Sequence, residues 1–101
     1  MDRSSNIYMV TLFLNDMELE KLVLLLPYQQ TVIQRFTSEG KLLHYALSME
    51  KNRIWMVFYA KNEGDIPGWI SCFPICRYGS WQIQCLAQYH LHHKPHSVSL
   101  N

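Results

Sequence analysis

The sequence predicts a single α+β domain in which two helices cover one face of a four-stranded antiparallel sheet. Apolar residues alternate with a period of two in four segments, and two of these segments flank a short turn. Between the strands, apolar residues recur at spacings of three and four, as on a helix. The 101 residues suffice for one domain, with a core expected over residues 6–90 and an irregular tail over residues 91–101.

The first strand is predicted over residues 7–14. Tyr8, Val10, Leu12 and Leu14 form one face, and the intervening positions are also mostly apolar. A strand that is apolar on both sides belongs in the middle of a sheet.

A first helix is predicted to follow, with Asn15 and Glu18 at the spacing of a capping box. We expect Pro27 to kink this helix or to start a second helical piece, and Gly40 to end it. The apolar stripe of the helix consists of Leu22, Leu25, Leu26, Val32, Ile33 and Phe36.

A hairpin is predicted over residues 41–60, with Lys51 and Asn52 as its loop, which would set His44 opposite Tyr59. Both of its faces are largely apolar. The face expected in the core carries Leu43, Tyr45, Leu47, Met49, Ile54, Met56, Phe58 and Ala60. The other face carries Leu42, His44, Ala46, Ser48, Arg53, Trp55, Val57 and Tyr59.

A short second helix and a last strand complete the prediction. The helix carries Ile66, Trp69, Ile70 and Phe73 on one side, with Asp65 as its cap and Pro67 in its first turn. The last strand covers residues 81–90, with Trp81, Ile83, Cys85, Ala87 and Tyr89 on one face and polar residues on the other. That polar face indicates an edge strand or the lining of a cavity.

The order strand, helix, strand, strand, helix, strand is the split βαβ arrangement of ferredoxin-like folds. Both helices then cover the same sheet face. Because the other face is also half apolar, a further layer is expected on it, and a second copy of the chain is the simplest source.

Four segments resemble the small muconolactone isomerase-like members of the dimeric α+β barrel superfamily. They are residues 8–12 (YMVTL), residues 38–44 (SEGKLLH), the third strand with its tryptophan, and residues 73–78 (FPICRY). The resemblance covers about residues 6–90 and implies a homodimer whose sheets enclose a small-molecule pocket in each half of a barrel. Some members assemble further into rings. The catalytic carboxylate of the family is expected in the first helix, where this chain has Tyr28, Gln29 and Gln30.

The residues leave two functional classes open. In the first, His44, Ser48, Arg53, Trp55 and Tyr59 line a pocket for a small cyclic or aromatic metabolite. His44 would then be the catalytic group, because imidazole exchanges protons near neutral pH. In the second, His44 is a hydrogen-bonded structural group, and the chain is a non-catalytic dimerisation or regulatory module with a filled barrel.

Composition argues against several other classes of protein. The net charge is +1 with scattered basic residues, which is unlike a nucleic-acid binder, and no apolar run has the ~20 residues of a membrane span. The amino terminus lacks the pattern of a signal peptide, so we expect a cytoplasmic protein.

Neither a metal nor another cofactor is expected. Cys72, Cys76 and Cys85 have no paired metal-ligand spacing and are interpreted as buried, reduced thiols. The histidines of residues 90–96 could bind a metal, but a solvated tail is the favoured interpretation because no carboxylate or thiol accompanies them.

Overall fold

The computed structural model describes residues 6–15 and 17–90. The strands are β1 (Ile7–Phe13), β2 (Leu42–Ser48), β3 (Arg53–Tyr59) and β4 (Ser80–Cys85), and the helices are α1 (Leu19–Ser38) and α2 (Ile66–Ile70). Two short 3-10 turns, Glu63–Asp65 and Ile75–Tyr78, flank α2. The strands form one antiparallel sheet in the order β2-β3-β1-β4, which confirms the ferredoxin-like prediction, including the central position of β1. None of the helices in the described ranges is long and apolar enough to cross a bilayer.

The hydrophobic core lies between the helices and one face of the sheet, which we call the helix face. Val10, Leu12, Ile54, Met56 and Phe58 are fully buried there because they alternate on adjacent strands. Both helices contribute apolar side chains to the same cluster, and an aromatic group joins them to the sheet. That group consists of Phe36, Phe58, Trp69 and Phe73, with ring centroids 5.2–6.4 Å apart.

The ends of α1 are only partly as predicted. The predicted capping box is wrong. The helix α1 begins at Leu19, and Glu18 makes no side-chain cap hydrogen bond. Asn15 has a positive φ of 45° and lies in the turn after β1. The predicted stop at Gly40 is confirmed. Gly40 has φ 75°, and the amides of Gly40 and Lys41 donate to the carbonyls of Thr37 and Phe36, which is a Schellman motif.

Pro27 lies inside α1 without starting a second helical piece. Its ring is exposed to solvent, and the Thr31 hydroxyl donates to the Pro27 carbonyl one turn later. Leu26, which was expected in the core, is 38% exposed, whereas Gln29 is only 1% exposed. The buried stripe of the helix is therefore rotated towards Gln29.

The hairpin has a longer loop than predicted. Residues 49–52 form the turn, so Met49 is 47% exposed instead of lying in the core. The pairing of β2 with β3 is shifted by two residues from the predicted register, so His44 lies opposite Val57 rather than Tyr59. Most side chains stay on their predicted face, because the shift is an even number of residues. A bulge between Leu42 and His44 then turns Leu42 to the helix face, where it is buried beside Phe58.

The second half of the chain follows the prediction up to Cys85. Ile66, Ile70 and Phe73 are buried, although Asp65 makes no side-chain cap hydrogen bond. The last strand is shorter than expected, because β4 ends at Cys85. The Leu86 amide just beyond it donates to the Ile7 carbonyl. As predicted, β4 is an edge strand.

Gly79 allows the chain to pass close to the end of β1. A Cβ at this position would overlap the backbone carbonyl oxygen of Phe13, and neither backbone segment can move aside without disturbing the β1–β4 ladder. By contrast, a Cβ at Gly64 would meet no atom within 4 Å.

We therefore predict that Gly79→Ala lowers the free energy of unfolding by about 1–3 kcal/mol, the usual cost of forcing backbone apart in a packed region. Gly64→Ala is the matched control and should change it by less than about 0.5 kcal/mol. Urea unfolding followed by circular dichroism measures both. Equal stability of the two variants would contradict the close approach at Gly79.

Candidate functional site

The face of the sheet opposite the helices, which we call the open face, is built from four rows of side chains that run across the strands. The described residues place no helix on this face. Along the order β2, β3, β1 and β4, the rows are Ser48, Arg53, Phe13 and Ser80; Ala46, Trp55, Thr11 and Gln82; His44, Val57, Met9 and Gln84; and, on the two central strands only, Tyr59 and Ile7.

All five residues predicted to line a pocket belong to the open face, but they have different surroundings. The Ser48 hydroxyl accepts a hydrogen bond from the Lys51 amide at 3.1 Å, which ties it to the hairpin turn. The Arg53 guanidinium lies over the Phe13 ring at 5.0 Å. Trp55 is half-buried in the middle of the face, whereas Tyr59 is 40% exposed at its end.

The chemistry of the open face suits binding better than proton transfer. The two central strands supply mainly apolar side chains, and β4 supplies the carboxamides of Gln82 and Gln84. The four rows contain no carboxylate. His44 carries the only imidazole in these rows.

One residue of this face was not predicted from the sequence. Tyr89 was expected on the same side as Trp81, but its ring packs edge-on against His44, with ring centroids 5.6 Å apart. The alternation that assigned Tyr89 to the other side applies only while the strand continues, and β4 ends four residues earlier. Residues 81–90 contain no glycine and their alternation is unbroken, so the sequence does not indicate that the strand ends at Cys85.

Gln29 lies in the stretch of α1 where the resemblance implies a carboxylate, but its side chain is buried on the helix side of the sheet. Its Nε2 donates to the Tyr45 hydroxyl at 3.1 Å, and its Oε1 accepts from the Ile75 amide at 3.1 Å. Burial raises the pKa of both Tyr45 and Cys76 in this cluster to about 12, although hydrogen bonds with Gln29 act in the opposite direction. The cluster joins α1, β2 and the 3-10 turn, and its thiol stays protonated at neutral pH.

The three cysteines differ in accessibility. Cys76 is buried as predicted, Cys72 is half-buried, and Cys85 is exposed, so the prediction of three buried thiols is wrong for Cys85. No group of three metal-ligating side chains occurs within residues 6–15 and 17–90. Of the histidine-rich tail, only the exposed His90 is described, and the remaining histidines lie outside the described residues.

Two surface clefts lie away from the middle of the open face. One, of about 430 Å³, is lined by Met17, Lys21 and Tyr78 beside the start of α1. The other, of about 380 Å³, lies where α1 ends and includes Trp69 and Tyr59. The central residues of the open face line neither of these two clefts.

Comparison with known proteins identifies the fold. The chain is similar to the crystal structure of muconolactone isomerase determined at 3.3 Å, with 17% sequence identity and a TM-score of 0.65, over 94% of this chain and 97% of that chain. This confirms a muconolactone isomerase-like fold. Scans of protein-family models and of curated proteins find no match.

We predict that Gln29→Leu destabilises the protein, because it leaves the Tyr45 hydroxyl and the Ile75 amide without their partner. Each orphaned group should cost roughly 1–3 kcal/mol. Gln30→Leu, at the exposed neighbouring position, is the control and should change stability by less than about 0.5 kcal/mol. Chemical denaturation of both variants tests this, and a stable Gln29→Leu would refute the structural role of the cluster.

Proposed function

We propose that this protein is a homodimer that binds a small cyclic or aromatic molecule between the open faces of its two sheets. The observation that carries the proposal is the composition of the open face. Ile7, Met9, Phe13, Trp55 and Val57 lie on its two central strands, and no described helix covers them. Apolar surface is stabilised by about 25 cal/mol for each Å² removed from water, so a second layer is strongly favoured.

A second copy of the chain is the layer that fits best. An identical open face would bring the same apolar centre and the same polar edges, as a two-fold symmetric interface requires. The polar side chains at the edges, such as His44 on β2 and Gln84 on β4, would then border the apolar space between the sheets. Such a mixture of apolar walls and a few polar groups is typical of small-molecule sites.

The fold neighbour supports the choice of ligand class. Its name states that it isomerises a lactone, which is a small oxygen-containing ring. In this chain, the carboxamide of Gln29 is buried on the opposite side of the sheet, and the open face has no carboxylate in its rows. We therefore propose binding as the primary function, with His44 as the candidate for any proton transfer.

A non-catalytic dimerisation module with a filled barrel is the second candidate. It is favoured by one observation: Tyr89 packs against His44 on the open face, and Val57, the cross-strand neighbour of His44, is only 9% exposed. Val57 is not part of the core on the helix face. Part of the open face is thus already covered within one protomer.

The dimer is tested by Trp55→Glu, which places a charge at the centre of the open face. An unpaired charge in an interface is strongly unfavourable, so this variant should sediment as a monomer at micromolar concentration while the wild type sediments as a dimer. Leu24→Glu makes the same kind of change on the exposed side of α1, at a residue 72% exposed, and should remain dimeric.

Circular dichroism of Trp55→Glu shows whether the monomer has kept its fold. A wild type that sediments as a monomer, or a folded Trp55→Glu that is still dimeric, would contradict the proposed interface.

The pocket is tested with His44→Ala, using benzoate and butenolide as probes. His44 is exposed, so its loss should cost less than about 1 kcal/mol of stability but weaken probe binding about tenfold or more. Ser80→Ala, at the far edge of the same face, should bind as the wild type does. Titration calorimetry and denaturant unfolding provide the two measurements. In a filled barrel, neither probe binds and His44→Ala destabilises by roughly 1–3 kcal/mol.

A further inference from the structure

The segment after β4 brings Tyr89 from one edge of the sheet to the other. β4 and β2 are the two edge strands, and adjacent strands lie roughly 4.8 Å apart, so the edges are separated by about 14 Å. Tyr89 comes only four residues after the last residue of β4, and its ring nevertheless contacts His44 on β2. The segment must therefore be extended, and it delivers the Tyr89 ring to a defined row of the open face.

The Tyr89 hydroxyl is the unusual feature of this contact. Its oxygen is shielded from solvent and has no hydrogen-bond partner within the described part of the chain. A phenol is protonated at neutral pH, and burial raises the pKa of Tyr89 further, so the hydroxyl remains a donor. A buried hydroxyl without a partner costs free energy, and in native structures such groups are rare.

The other side chains in the row of His44 do not supply the missing partner. In the row of His44, the next two residues are Val57 and Met9, which are apolar. The nearest carboxamide of that row, Gln84, is on the opposite edge strand, about 14 Å from β2. The imidazole of His44 is the polar ring that the Tyr89 phenol contacts edge-on, with the two ring centroids 5.6 Å apart.

The geometry points to a polar subsite formed by the Tyr89 hydroxyl and the His44 imidazole, which takes a carboxylate or carbonyl oxygen of the ligand. This inference rests on the proposed function, since the apolar part of the same ligand would contact Trp55 and Val57 between the two sheets. It adds a ligand-binding residue, Tyr89, that orients the oxygen-bearing end of the molecule towards β2.

The test compares two probes of similar shape, benzoate and toluene, on the full chain carrying Tyr89→Phe. The substitution removes only the hydroxyl. It should weaken benzoate binding about tenfold or more, because a hydrogen bond to a charged oxygen is lost, and leave toluene binding unchanged. The melting temperature without ligand should stay the same or rise, since an unpaired buried hydroxyl is removed. Tyr28→Phe, at a residue 66% exposed on α1, is the control and should match the wild type in all three measurements.

The other outcomes separate this inference from the proposed function. If Tyr89→Phe binds benzoate as the wild type does but dissociates more readily into monomers, the hydroxyl pairs with the partner subunit and the subsite is refuted. Unchanged binding together with a lower melting temperature refutes it as well, because the hydroxyl is then structural. A wild type that is monomeric, or that is dimeric and binds neither probe, overturns the proposed function and the subsite with it.

Discussion

The structure depends on one imbalance: the sheet has two apolar faces, and the helices in the described residues cover one of them. On the helix face, alternation along β1 and β3 buries Val10, Leu12 and Ile54 completely. On the open face, the same alternation leaves Met9 and Trp55 half-buried. Period-two alternation sends neighbouring residues to opposite sides of the sheet, so a strand that is apolar throughout needs an apolar layer on each side. Residues 6–15 and 17–90 supply a helical layer on only one of them.

The two faces also differ in how their polar groups are satisfied. On the helix face, Gln29 pairs with Tyr45 and Ile75, so its carboxamide contributes a cross-link without introducing a buried charge. A carboxylate at the same place would pay for desolvation among apolar side chains. On the open face, the Tyr89 hydroxyl has no hydrogen-bond partner among residues 6–15 and 17–90. The first arrangement is complete among the described residues, whereas the second is not, and we propose that a ligand completes it.

The elements could be predicted from the sequence because each has a strong period, but the details at their ends could not. The predicted sheet faces of Tyr45 and Trp55 are correct, although the predicted hairpin loop is two residues shorter than the observed one. A shift of two residues in the strand pairing leaves each side chain on the same face. The bulge before His44 changed the face of Leu42 and has no signature in apolar spacing. The sequence pattern predicts Asn15 as a helix cap, but in the structure this residue has a positive φ and lies in a turn. The position of Tyr89 depends on where β4 ends, which alternation alone does not specify.

Dimerisation and ligand binding are thermodynamically linked in the proposed function, because each protomer presents only one wall of the space between the sheets. A molecule that binds the dimer but not the monomer must shift the association equilibrium towards the dimer, by an amount set by its concentration relative to its dissociation constant. The same linkage makes the apparent affinity for the ligand depend on protein concentration. Within one protomer, the Tyr89 ring already covers part of the β2 edge, where it contacts His44. In the proposed dimer, Trp55 and Thr11 would govern association from the centre of the open face, and His44 and Tyr89 would select the bound molecule at its edge.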